Sequence, residues 1–219
     1  MRYRSRYINS DEDLNIWPAF TDLMSNAFMI LVLLLSLALI KPLLSKALSK
    51  TETPTGVPPI LVIEDEGAYR FASGSAEIPP KMSAYIKNKI VPEIEKNTKK
   101  YRINVVELIG HTDGQANGGG VSNLDQDLEK VANAKEPVSS LQSGSNADLG
   151  LMRALAVVRL LRDLQTKNGQ LKGLKFRAYS AAQLILPDGE FALVNRKPDA
   201  TRRRIEIRFT RLGEPIQVN

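Results

Sequence analysis

The chain has 219 residues and a formal net charge of +6 at pH 7, a length that allows one membrane anchor and one folded domain of ordinary size. It has no cysteine, which excludes disulfides, iron–sulfur clusters and thiol nucleophiles, and its single histidine, His111, has no second histidine or cysteine with which to share a transition metal. We therefore expect no metal site. The basic residues are not interleaved with aromatic ones as on a nucleic-acid-binding surface, so we also expect no nucleic-acid partner.

An apolar segment near the N-terminus predicts a single transmembrane helix over residues 17–41, after a tail of residues 1–16. No charged residue occurs between Ala27 and Ile40, and a helix of this length can cross a hydrocarbon core of about 30 Å. No small-residue cleavage site follows before Lys41 and Pro42, so we interpret the segment as an anchor. Basic residues flank both ends, and the positive-inside rule therefore does not give the orientation.

Asp22 is the only charged residue between Trp17 and Ile40. A carboxylate inside a span costs about 2.5–3.5 kcal/mol at the bilayer centre and less near an interface, so its default interpretation is a site on an ion pathway. Thr21 and Ser25 flank it on the helix and are candidates to help it bind a proton or a sodium ion. The alternative is that Asp22 lies at headgroup depth and caps the helix start, with Trp17 as an interfacial anchor.

The segment after the anchor predicts a linker and then the start of a folded domain. Residues 42–59 contain Ser, Thr, Lys, Gly and several prolines, which is typical of a connector, and its start at 43–48 is a candidate amphipathic plug. Residues 60–63 and 69–71 are β-prone and flank a turn at 65–67, so they predict a hairpin. Pro79 and Pro80 open a helix with one apolar face that continues to Lys99.

The rest of the chain predicts three strands, at 102–109, 174–179 and 204–209. Residues 114–145 are rich in Gly, Asn and Ser and predict a mobile surface insertion with a weak helical patch at 124–131. An amphipathic helix follows, capped by Asn146 or Asp148 and ended by Gly169. This order predicts an α/β sandwich over residues 60–213, in which helices cover one face of a small mixed sheet.

Four motifs of this domain resemble, in order, those of OmpA-like peptidoglycan-binding domains. They are Phe71–Ala76, Gly110–Asp113, Asn146–Ala154 and Arg202–Ile207. The segment Trp17–Ser25 separately resembles the anchor of MotB-type stator proteins, so the chain is similar to MotB-like proteins, which include the ZorB branch of Zorya anti-phage systems. It departs from the family pattern in the long insertion 114–145, in Gly150, where the family has Ser, and in Arg202, where it has Asn.

The resemblance implies a binding site for diaminopimelate in peptidoglycan stems, which presents one ammonium and one carboxylate. In the family an Asp binds the ammonium and an Arg binds the carboxylate, which implies Asp113 and Arg153 in this chain. Arginine suits that role because its planar fork can donate two hydrogen bonds to one carboxylate. The alternative is that Asp113 caps a turn and Arg153 forms an ordinary ion pair in a retained scaffold. The other residues implied to line or brace the pocket are Asn146, Thr112, Leu149 and Arg204.

At the level of function, the resemblance implies the wall-anchored subunit of an ion-driven rotary stator, with Asp22 relaying protons or sodium ions. The implied partners are a polytopic MotA- or ZorA-like membrane subunit, a second copy of the chain, and peptidoglycan. The implied location is the bacterial inner membrane, with the N-terminus in the cytoplasm and the C-terminal domain in the periplasm. Neither a cofactor nor an enzymatic activity is implied. Two alternatives stay open: a flagellar motor role instead of phage defence, and a passive tether without ion transport.

Overall fold

The computed structural model describes residues 17–49, 56–118 and 120–213. The predicted tail 1–16 and residues 50–55 of the predicted linker lie outside this description. The chain divides into two compact units, residues 1–52 and 53–219. All four strands and both apolar clusters of the described residues belong to the second unit, and neither cluster uses a residue of the first. We therefore expect residues 53–219 to fold as an independent domain.

The first unit contains one helix, α1, over Trp17–Ser49. Within it, Phe20–Lys41 is long and apolar enough, by length and composition, to cross a membrane. The helix does not end at Pro42 but continues to Ser49. The boundary predicted at this proline therefore marks a change in amino-acid composition and not the end of the helix.

Four strands of the second unit form one mixed sheet in the order β1-β4-β2-β3. The strand β4 is antiparallel to both of its neighbours, whereas β2 and β3 are parallel because a helical crossover connects them. One end of the sheet therefore holds the C-terminal ends of β2 and β3 and the N-terminal end of β4. The strands are β1 (Leu61–Glu64), β2 (Val105–His111), β3 (Lys175–Ala182) and β4 (Arg204–Thr210).

Helices cover one face of this sheet. The helix α2 (Pro80–Tyr85) passes through a π-helical turn (Ile86–Ile90) into α3 (Val91–Tyr101), and α5 (Asn146–Asn168) forms the crossover between β2 and β3. Side chains from these helices and from the sheet form the main core, including Ile94, Leu108, Leu161 and Ile207. The predicted α/β sandwich with helices on one face of a small mixed sheet is therefore confirmed.

The insertion 114–145 is packed against the domain. It contains α4 (Leu124–Ala132), which confirms the predicted helical patch, and a 3-10 turn at Val138–Ser140. Its apolar side chains form a second small core against α5, made of Ala76, Leu124, Val131, Leu141, Met152 and Leu155. The insertion therefore buries apolar side chains against the domain, which an extended surface loop of this length would not do.

Two local predictions are wrong. Residues 69–71 form no strand with β1, because Gly67–Tyr69 is a 3-10 turn and β1 pairs with β4 instead. The Asp65 carboxylate accepts the Phe71 N–H at 2.7 Å and so closes the turn that was predicted to be a hairpin. The cap of α5 is Ser145, whose hydroxyl accepts the Asp148 N–H, and not Asn146 or Asp148. The predicted stop at Gly169 is confirmed by its left-handed φ of 65°.

The backbones of β2 and α5 are in direct contact at Gly110 and Gly150. A Cβ on Gly110 would lie 2.0 Å from the Gly150 carbonyl oxygen, and one on Gly150 would lie 2.4 Å from Ser180 Oγ and 2.9 Å from the Gly110 oxygen. Only glycine allows this approach at Gly110. The contact seats the first turns of α5 on the end of β2, where the Gly-His-Thr-Asp motif lies.

Candidate cleft at the end of the sheet

A polar cleft lies at the end of the sheet where β2 ends and where β4 and α5 begin. Its walls are the turn after β1, the loop after β2, the first two turns of α5 and the residue before β4. Five of the six side chains that the sequence placed in the pocket line it: Thr112, Asp113, Asn146, Leu149 and Arg153. The fold therefore brings together residues that are up to 41 positions apart in the chain (153 − 112).

The Asp113 carboxylate is buried, with 5% of the residue exposed. Its Oδ2 accepts hydrogen bonds from Arg203 Nη1 at 2.8 Å and from the Asp199 N–H at 3.2 Å, and its Oδ1 accepts the Gln115 N–H at 3.1 Å. A carboxylate offers about four lone-pair sites, so it retains capacity for one further donor. Asp113 thus caps a turn, as one alternative expected, and also faces the cleft.

The Arg153 guanidinium is held from three sides. Its Nη1 donates to Asp65 Oδ2 at 2.9 Å, its Nε to the Ser75 carbonyl at 3.0 Å, and its Nη2 to the Ala72 carbonyl at 3.3 Å. The ring of Phe71 lies 4.9 Å from its central carbon. Burial lowers the pKa of Arg153, and the Asp65 carboxylate opposes that shift. Three of the five N–H groups of the guanidinium are used by the protein, which leaves two for another acceptor.

The sequence did not identify Asp65 and Arg203, which complete these two pairs. Asp65 was assigned only to a turn, and no local pattern indicates its partner Arg153, 88 positions away. For Arg203 a signal did exist: Ile205 and Ile207 face the helices, so strand alternation places Arg203 on the same side.

Arg204, which was expected to line or brace the pocket, does not line the cleft. Alternation turns it to the face of the sheet opposite the helices, where it is 4% exposed and where its Nε and Nη2 donate to Glu206 Oε1 at 2.9 and 2.7 Å. Arg208 Nη2 donates to the other oxygen of Glu206 at 2.7 Å. Burial raises the pKa of Glu206, but these hydrogen bonds outweigh it and the net shift is downward.

His111 is buried in this same cluster behind the sheet. Its Nε2 lies 3.4 Å from Glu206 Oε1, without hydrogen-bond geometry. Burial, and then the charge of Arg204, lower the pKa of His111. Among the residues that the structure describes, no group of three His, Asp or Glu side chains could hold a metal ion.

Two buried polar atoms of cleft-lining residues have no hydrogen-bond partner among the described residues. They are Thr112 Oγ1 and Arg203 Nε. An unpaired buried polar group costs about 1–3 kcal/mol, so such groups need either a ligand or water. Both residues line the cleft, and each of these two atoms is itself buried from solvent.

The candidate ion-relay residues lie on α1, in its first three turns. Asp22 and Ser25 are three positions apart, and Asp22, Ser25 and Thr21 are all exposed on the single chain. The Thr21 hydroxyl donates to the Trp17 carbonyl at 2.8 Å, so its hydrogen is satisfied within the helix. The relay role of the three residues stays a prediction.

Several solved structures are similar to this chain. A MotB-like protein from Desulfovibrio vulgaris matches with 16% sequence identity and a TM-score of 0.41, over 70% of this chain and 75% of that chain. The periplasmic domain of Helicobacter pylori MotB matches with 21% identity and a TM-score of 0.41, over 70% and 76%. The cell wall anchor of the T6SS from Pseudomonas aeruginosa matches with 19% identity and a TM-score of 0.35, over 68% and 80%.

No family model matches the chain, and no curated protein matches it. The solved structures above are MotB-like and wall-anchoring proteins, the classes that the sequence motifs resemble.

Proposed function

We propose that the folded domain binds the peptide stems of peptidoglycan through the cleft and so anchors the chain to the cell wall. The observation that carries this proposal is that the cleft holds the buried Asp65 and Asp113 carboxylates beside the buried Arg153 guanidinium and the half-buried Arg203 guanidinium, each type with hydrogen-bonding capacity left over. A ligand that presents both an ammonium and a carboxylate satisfies both. Diaminopimelate, the cross-linking residue of many bacterial walls, presents that pair.

The charges of the cleft favour this ligand class over a simple anion or cation. Two carboxylates, Asp65 and Asp113, and three guanidiniums, Arg70, Arg153 and Arg203, line it. The ligand ammonium approaches Asp113, where it competes with Arg203. The ligand carboxylate takes the free N–H groups of Arg153, since a planar guanidinium suits a carboxylate.

The test is a pull-down of the domain 53–219 by purified sacculi that contain diaminopimelate. Asp113→Asn keeps the shape of the side chain but removes its charge. Because a hydrogen bond to a charged group contributes about 1.5–3 kcal/mol, we expect binding to weaken by at least about tenfold. Free diaminopimelate should compete with the sacculi for the wild-type domain.

Glu107→Gln is the matched control, because it makes the same change away from the cleft, on the face of the sheet opposite the helices, where Glu107 contacts Tyr179 and Arg177. It should bind sacculi as the wild type does. Thermal unfolding of both variants establishes that they are folded. An Asp113→Asn domain that is folded and binds sacculi with unchanged affinity would remove the basis of the proposal.

We propose further that α1 spans the inner membrane and that Asp22 relays protons or sodium ions in a rotary stator. The support is that Asp22 is the only charge between Trp17 and Ile40 in a helix of membrane-crossing length. The folded domain is then periplasmic, and the partners are a polytopic MotA- or ZorA-like subunit and a second copy of the chain. A neighbouring gene for a helicase or nuclease favours phage defence, and a chemotaxis cluster favours a flagellar motor.

A passive wall tether is the second candidate function. It needs only the anchor and the cleft, and it leaves Asp22 without a role in ion transport. Ion flux through the reconstituted assembly of this chain and its polytopic partner separates the two functions, because a tether conducts no ions.

A further inference from the structure

The end of the domain opposite the cleft is strongly basic. It consists of residues 99–104 at the end of α3, residues 167–175 between α5 and β3, and residues 210–213 after β4, and we call it the basic end. These three segments contain no Asp or Glu. They contain seven exposed basic side chains: Lys99, Lys100, Arg102, Lys167, Lys172, Lys175 and Arg211.

Among the residues that the structure describes, the acidic side chains nearest to the basic end do not neutralise it. The Glu95 carboxylate accepts the Leu171 N–H at 2.9 Å, and Glu93 pairs with Lys96 at 3.1 Å. Asp163 is exposed on α5, one turn before Lys167. Within the part of the chain that the structure describes, Lys99, Lys167, Lys172 and Lys175 form no ion pair with any of these carboxylates. A net positive field therefore extends from this end into solvent.

Helix dipoles explain only part of this charge. The C-terminal ends of α3 and α5 lie at the basic end, and lysines in the last turn of a helix offset its partial negative charge. This accounts for Lys99, Lys100 and Lys167, which belong to or adjoin those last turns. Lys172 lies in the loop after α5, and Lys175 and Arg211 belong to or adjoin strands, so no helix end requires their charge.

The polypeptide enters the domain at this same end. A Cβ on Gly56 would lie 3.7 Å from Tyr101 Cε1, at the end of α3. From there the chain runs into β1, whose first residue Leu61 is opposite Ile207 in the antiparallel β4. Only residues 50–55 lie between the end of α1 and Gly56. Gly56, the first described residue of the domain, thus lies at the basic end, while the cleft lies at the other end of the strands.

We propose that the basic end binds the anionic phospholipid surface of the membrane that α1 spans. The proposal rests on the membrane anchor and on charge complementarity, and it does not depend on what the cleft binds. Each lysine or arginine near an anionic bilayer strengthens binding by about fivefold at moderate ionic strength, and the effect is screened by salt. Several such side chains on one end suffice for reversible attachment beside the anchor.

The test is co-sedimentation of the domain 53–219 with vesicles of phosphatidylcholine and phosphatidylglycerol, and with vesicles of phosphatidylcholine alone. We expect binding to the first and not to the second, with loss of binding as salt is raised. The triple variant Lys99→Gln, Lys172→Gln, Lys175→Gln should bind anionic vesicles at least about tenfold more weakly. The matched control is Lys81→Gln, Lys87→Gln, Lys135→Gln, which removes the same charge from exposed positions outside the basic end.

Equal weakening of binding by the two triple variants would overturn the proposal, since it would indicate a response to net charge alone. Absence of wild-type binding to anionic vesicles at low salt would also overturn it. Thermal unfolding of both triple variants serves as the folding control, because it does not depend on what the cleft binds. A domain that binds sacculi but not anionic vesicles refutes the lipid-binding proposal and leaves the cleft proposal standing. A domain that binds anionic vesicles but not sacculi refutes the cleft proposal and leaves the lipid-binding proposal standing.

Discussion

The buried pair of Asp65 and Arg153 makes a quantitative prediction about the stability of the domain. The two side chains are 4% and 7% exposed, and Arg153 Nη1 lies 2.9 Å from Asp65 Oδ2. Arg153→Met keeps the apolar stem of the side chain but removes this ion pair and the hydrogen bonds to the Ser75 and Ala72 carbonyls. Among the described residues, only the Phe71 N–H then donates a hydrogen bond to the buried Asp65 carboxylate.

Breaking a buried pair by removing one partner costs about 3–5 kcal/mol, because the other charge is left uncompensated. We expect Arg153→Met to lose that much of the free energy of unfolding. Asp65→Asn retains an oxygen that accepts the Phe71 N–H, but it leaves the buried Arg153 guanidinium without its carboxylate, so we expect a loss in the same range of about 3–5 kcal/mol. In the double variant no buried charge of the pair remains, and its total loss should fall about 1–3 kcal/mol short of the sum of the single losses.

Urea unfolding of the domain 53–219 at neutral pH measures all four corners of this cycle. The slope of the free energy of unfolding against urea should be the same in each variant, which establishes that the denatured state is unchanged. If the two single losses add to within about 0.5 kcal/mol, the two side chains are not coupled and the pairing described for the cleft is refuted.

Three further predictions concern other parts of the chain. Burial lowers the pKa of His111 below its usual 6.5, so as pH falls through that value the unfolded chain binds a proton that the folded domain does not. The free energy of unfolding of the wild type, measured in urea, should therefore fall between about pH 7 and pH 5, and that of His111→Gln should fall less. Parallel curves for the two proteins would contradict a buried neutral histidine. Gly150→Ala should destabilise the domain by about 1–3 kcal/mol through overlap with the Gly110 oxygen and Ser180 Oγ, while Gly118→Ala, which meets nothing within 4 Å, should be close to neutral in the same measurement. Asp22→Asn should leave assembly intact but abolish ion flux in vesicles that contain the chain and its polytopic partner. Ser36→Ala, which removes a hydroxyl that donates to the Val32 carbonyl of its own helix, should conduct ions normally. Normal flux in the Asp22→Asn variant would argue for the passive tether.

Periodicity in the sequence was sufficient for most of the secondary structure. The helix stop at Gly169 and three of the strands depend on local residues, and these predictions are confirmed to within a few positions. The predicted hairpin after β1 is wrong because a short β-prone segment has several possible partners. The partner that β1 takes, β4, begins 140 positions after β1 ends (204 − 64 = 140). Such a choice depends on the assembled sheet and not on local propensity.

The candidate site was predictable in composition but not in pairing. Motif order was enough to bring Asp113 and Arg153 to one cleft, yet each is bound to a partner that the motifs did not indicate, Arg203 and Asp65. The exchange of Arg204 for Arg203 as a cleft residue follows from strand alternation once the buried face of β4 is known. The pairing with Asp65 depends on a turn whose conformation is itself set by Arg153 and Phe71, so no local signal could have given it.

The placement of β1 has a consequence for mechanical load. If the cleft is held by a rigid mesh and the opposite end is pulled through the segment before Leu61, the force runs along β1, parallel to the strand. The ladder of β1 with β4 covers four residue pairs, and its hydrogen bonds lie perpendicular to that force. They would be strained together, in shear, and would not open one after another like a zipper, so even a strand of four residues resists tension along this axis better than its length suggests.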